Sequence, residues 1–82
     1  METNEPYQAE FPPGTSVRIV AAPILEQFVA SWRYHHPLLP AQLAYAGAAA
    51  TVANVSFYHG GDQLYELVGI PGIWHQQNLT PN

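Results

Sequence analysis

The chain has 82 residues, of which 48% are hydrophobic and only 10% charged, with six acidic and two basic side chains and a formal net charge of -4. That length fits one domain, and the absence of cysteine excludes disulfides, thiolate metal ligands and cysteine nucleophiles. The charge balance argues against nucleic acid, whose phosphates need several cations, and against an anionic membrane surface.

No apolar run approaches the roughly 18–20 residues of a spanning helix. The start, Met1-Glu2-Thr3-Asn4-Glu5, lacks the basic region of an export signal, so a cytoplasmic location is expected. A chain of this size buries only about 60% of its unfolded surface. Without disulfides, self-association or docking on a larger protein subunit is the expected source of extra stability.

Residues 1–12 read as a flexible acidic tail and 13–82 as a single folded domain. Pro12-Pro13-Gly14-Thr15 makes a turn, after which Val17, Ile19 and Ala21 alternate with Ser16, Arg18 and Val20 as a half-buried strand does. Ile24, Leu25, Phe28, Val29 and Trp32 then share one helical stripe, and Pro23 suits the first helical position, so Pro23 to Trp32 reads as a short helix with a strand through Phe28–Tyr34 as its rival. Pro37 and Pro40 interrupt regular structure, and Gln42 to Ala46 forms a loop or one helical turn closed by Gly47.

Beyond Gly47, Thr51, Ala53, Val55 and Phe57 take one face of a strand and Val52, Asn54, Ser56 and Tyr58 the other. His59-Gly60-Gly61-Asp62 supplies a hairpin turn, and Leu64 to Val68 is the returning strand. Gly69-Ile70-Pro71-Gly72 reads as a second turn, with a closing piece from Ile73-Trp74-His75 through Leu79. The fold class expected from this order is mainly β: a small barrel with a long first loop.

Gly14-Thr15-Ser16-Val17-Arg18-Ile19, Tyr34-His35-His36-Pro37 and Gly47 followed by Ala50-Thr51-Val52-Ala53-Asn54-Val55 occur in that order. In these motifs the chain resembles the electron-transport accessory group of SH3-like barrels, which includes the variable chain of ferredoxin:thioredoxin reductase and the C-terminal domain of the nitrile hydratase β subunit. It departs from that group in the longer stretch between Arg18 and Tyr34, in Ala50 where a second glycine is the pattern, and in the Tyr58–Asp62 turn. The resemblance implies an SH3-like barrel serving as a non-catalytic subunit beside a redox or metal enzyme.

The chemistry-bearing residues cluster after Arg33. His35, His36, His59 and His75 with Asp62 and Glu66 raise a metal site, for which His35, His59, Asp62 and His75 are the candidate ligands. Adjacent His35 and His36 on extended backbone would point to opposite sides, which counts against a shared site. His59 and Asp62 raise a proton-handling pair, although aspartate in such a turn more often bonds the turn amides. No nucleophile elbow or P-loop is present, and neither a catalytic residue nor a cofactor is expected.

Aromatic residues with an arginine are the usual anchors of interfaces. Trp74 and His75, directed by Pro71-Gly72, are the first such candidates, Arg33 and Tyr34 the second, with His35, His36, Tyr58 and His59 completing a partner-binding set. The functional expectation is a non-catalytic accessory or interaction subunit docking on a larger partner. The alternatives are a homo-oligomer with a ligand or substrate pocket between subunits, and a histidine-based metal protein.

Overall fold

The computed structural model describes residues 9–58 and 61–82. Five strands and one α-helix follow in the order β1 (Ser16–Ile19), α1 (Ala22–Ser31), a 3-10 helix (Pro40–Tyr45), β2 (Ala49–Tyr58), β3 (Asp62–Leu67), β4 (Ile70–His75), a second 3-10 turn (Gln76–Asn78) and β5 (Leu79–Pro81). The strands form one antiparallel sheet ordered β4-β3-β2-β1-β5, so a small, mainly β fold is present and β4 and β5 are the edges of an open sheet.

β1 runs through the middle of one half, pairing with β2 on one side and β5 on the other, and its alternation buries Val17 and Ile19 completely. Ala21 does not extend this strand; it is exposed and precedes α1. The helix is the form that prevails over the rival strand, with Pro23 in its first turn. It ends because Trp32 turns extended, and the freed carbonyls of Ala30 and Trp32 accept bonds from the Arg33 guanidinium at 2.6 and 3.4 Å. Only Leu25 and Phe28 of the apolar stripe are buried; Ile24 and Val29 remain exposed.

Along β2 the expected alternation breaks. A register shift between Val52 and Asn54 inserts Ala53 as a bulge, so buried Val52 and half-buried Val55 both serve the core although an odd number of positions separates them. The second turn lies at Val68–Gly69, one step earlier than the sequence suggests, and Ile70, Pro71 and Gly72 already belong to β4. Proline is tolerated there because β4 is an edge strand.

The core gathers Phe11, Val17, Ile19, Leu25, Phe28, Leu38, Val52, Tyr65, Leu67, Trp74 and Leu79. Phe11 corrects the domain start: it is 4% exposed, its ring lies 5.7 Å from that of Tyr65, and its amide donates to the Tyr65 hydroxyl at 3.2 Å. Burial raises the Tyr65 phenol above its ordinary pKa, which keeps it a donor, and it bonds Gln63 Oε1. The folded body thus begins before residue 13.

Candidate functional site

Residues directly opposite one another across strands share a face of the sheet. Tyr65 pairs with Val55 and Trp74 on the core face; Leu64, one step along, pairs with Ser56 and His75 on the other. Tyr58 and Asp62 oppose each other in register with that second face. Over it lies the connector that leaves α1, and this brings three of the four histidines together.

His35 stacks on Tyr58, with ring centroids 3.7 Å apart and planes 17° from parallel, while its Nε2 faces Asp62 Oδ2 at 3.1 Å without the alignment of a hydrogen bond. His36 sits edge-on to Tyr58 at 5.7 Å and to His35 at 5.4 Å. Its φ of 47° places it in the left-handed region, rare for residues other than glycine, and this is why neighbouring histidines do not diverge as they would on an extended backbone. Trp32 anchors the connector by donating its indole N–H to the His35 carbonyl at 2.7 Å.

His75 ties the connector to β4. Its Nε2–H donates to the His36 carbonyl at 2.7 Å, and its ring meets Trp32 at 4.7 Å and Phe28 at 5.1 Å. Burial lowers its pKa below 6.5; the His36 carbonyl bond opposes that shift, His35 and His36 add to it, and Asp62 opposes it. At pH 7 this shift favours the neutral imidazole, with Nδ1 left as its acceptor.

On the outer side of this layer, Trp32, Tyr34, His35, Tyr58, Gly61 and Asp62 line an open groove of about 450 Å³. Tyr34 is 70% exposed and stands at right angles to Trp32 with centroids 5.1 Å apart. A smaller hollow of about 120 Å³ shares Trp32, Gly61 and Asp62 with the groove and is lined further by His75 and Gln76.

Two of the expected interface anchors are internal. Trp74 is 0% and His75 2% exposed, because β4 turns Trp74 toward Tyr65 in the core and His75 under the connector. Neither side chain is available to a partner on this surface. Arg33 is exposed, yet its guanidinium serves the end of α1. Tyr34, His35, His36 and Tyr58 do gather at one place. His59 lies outside the described residues. Asp62 faces His35, and the turn residues His59 and Gly60, whose amides were expected to bond it, lie outside the described residues.

Among the described residues no three histidine, aspartate or glutamate side chains are arranged to hold a metal ion. Of the candidate ligands, His35 and Asp62 meet, while His75 commits Nε2 to a backbone carbonyl. Trp32 and Asp62 line the groove without having been expected at an interface; Asp62 was expected only in a metal, proton-handling or turn role. Their signal was spacing, Trp32 two positions before Tyr34 and Asp62 four after Tyr58. No helix among the described residues is long and apolar enough to cross a membrane. Comparison with family models, with curated proteins and with solved structures finds no match.

Proposed function

We propose that this chain is a non-catalytic interaction subunit that docks on a larger protein through the groove of Trp32, Tyr34, His35 and Tyr58. The observation that carries the reading is Tyr34: a tyrosine left 70% exposed beside Trp32, on a molecule with only 10% charged residues. Tyrosine and tryptophan in a partly desolvated depression are the residue types that supply most binding energy at interfaces.

The finer reading of the fold is an SH3-like barrel of the electron-transport accessory kind. The opening strand, the long excursion over residues 20–48, the two successive hairpins and the short closing strand support it. Fold analogy is an associational argument for function, and the accessory role beside a redox or metal enzyme rests on it. The arrangement of the histidines favours the same non-catalytic view, since their ring contacts and the His75 bond rigidify the connector.

The test is affinity purification of the tagged full chain from its native host, run in parallel with Tyr34→Ala. A stoichiometric partner retained by the parent chain and lost with Tyr34→Ala, at unchanged melting temperature, supports docking through the groove. A partner retained equally by both, or a chain recovered alone as a monomer, overturns it.

A further inference from the structure

The groove has a charge character that selects among partners. Its well-exposed ring is Tyr34, whose face carries negative potential, while Tyr58 and Trp32 are already stacked on one side by His35 and Phe28. Its floor carries Asp62, whose side chain is 55% exposed and whose Oδ2 meets His35 Nε2 outside hydrogen-bond alignment. Neither arginine of the chain is bonded at the groove, since Arg18 donates to the Gly47 carbonyl and Asn82 Oδ1 and Arg33 caps α1, and lysine is absent.

An anionic ligand would meet both the carboxylate and the ring faces unfavourably. A purely apolar one would cover Asp62 and strip its hydration without returning a hydrogen bond. A cation carried on an apolar stem satisfies both surfaces. Between the two common cations, guanidinium is the planar one: it stacks on an aromatic ring while its N–H fork reaches a carboxylate, whereas ammonium is a compact, strongly hydrated charge.

We propose that the groove recognises an arginine side chain presented by the docking partner, its guanidinium lying against Tyr34 and Trp32 and donating to the Asp62 carboxylate. The proposal rests on the docking reading above and adds the chemistry of the residue that enters.

The experiment is an NMR titration of the full isotope-labelled chain with a short capped peptide centred on arginine, and with its citrulline, lysine and norleucine counterparts. Citrulline has nearly the same shape without the charge. Saturable shifts at Trp32, Tyr34 and Asp62 are expected with arginine, and binding about tenfold weaker with citrulline because charge-assisted bonds are lost. Tyr34→Ala is expected to weaken arginine binding about tenfold, with Tyr34→Phe close to the parent because the ring face is kept. Asp62→Asn is expected to weaken arginine binding and to leave norleucine binding unchanged.

Equal binding of arginine and citrulline, equal or tighter binding of lysine, or arginine binding indifferent to Asp62→Asn overturns guanidinium recognition. So does the absence of shifts with the arginine peptide. In each of those cases a native partner still lost with Tyr34→Ala leaves the docking reading standing, so the two failures are distinguishable.

Discussion

Trp74 and Tyr34 are both large aromatics expected at an interface, yet burial separates them. Trp74 is fully enclosed, so Trp74→Ala removes a core side chain and is expected to cost about 3–5 kcal/mol. Tyr34→Ala trims a ring that is 70% exposed and is expected to stay within about 0.5 kcal/mol of the parent. Urea unfolding of the two variants measures both, and similar losses would contradict the division between core and groove. Gly72 gives a second case. Its φ is +97°, and a Cβ there would lie 2.6 Å from Gln42 Nε2. Gln42 is itself buried, bridging the connector to β4 by accepting from the Leu39 amide at 2.8 Å and donating to the Ile73 carbonyl at 3.0 Å. Gly72→Ala therefore combines left-handed strain with displacement of that bridge, and a loss of about 2 kcal/mol or more in chemical denaturation is expected. A loss below about 0.5 kcal/mol, the range of ordinary surface changes, would show that Gln42 moves aside freely.

At the scale of elements, what could be read from the chain depended on whether a pattern was local. The spacing of Leu25 and Phe28, with proline at the start, was enough to place a helix at Pro23–Trp32, one residue from the observed Ala22–Ser31. The alternation after Gly47 located β2, but not Ala53 as a bulge, because a bulge is defined by its partner strand and leaves no mark in one strand's composition. Pro71-Gly72 reads as a turn by composition, and only an edge position lets it stay in β4. The clustering of Tyr34, His35, His36 and Tyr58 was visible as a set of residues. The burial of Trp74 and the left-handed turn at His36 were not, since both follow from where β4 and the connector meet. The bulge yields a prediction of its own. Deleting Ala53 leaves Val52 and Val55 two positions apart, so simple alternation keeps both on the core face and the ladder loses only its extra residue. The deletion variant is expected to keep a cooperative thermal transition, and Ala53→Ser, which keeps the extra exposed residue, is expected to melt within a few degrees of the parent. Loss of the cooperative transition in the deletion variant would mean that the bulge itself, and not only the shared face of Val52 and Val55, is required.

The whole molecule solves the problem of a small cysteine-free chain by extending its core through Phe28 to a second layer of half-buried Trp32 and His35 and buried His75. This second layer ties global stability to the charge on His75. In the unfolded chain His75 takes up a proton near its ordinary 6.5, whereas burial makes the folded imidazole resist protonation to lower pH. Between those two values the unfolded state holds more protons, so stability present above pH 6.5 declines as the pH falls, until His75 protonates in the folded state as well. Net charge works the other way over the upper part of this range. The chain carries -4 at pH 7 and approaches neutrality near its isoelectric point of 5.3, so self-repulsion weakens on acidification and by itself favours the compact state. A fall in urea midpoint between pH 7 and 5.5 therefore reports the buried imidazole and not bulk charge. His75→Gln keeps an N–H able to reach the His36 carbonyl and removes the titration; it is expected to be less stable at pH 7 and to show a clearly shallower pH slope than the parent. A parent midpoint that stays level or rises over this interval, or a variant with the same slope, would show that proton uptake at the sheet's second face does not govern the stability of the domain.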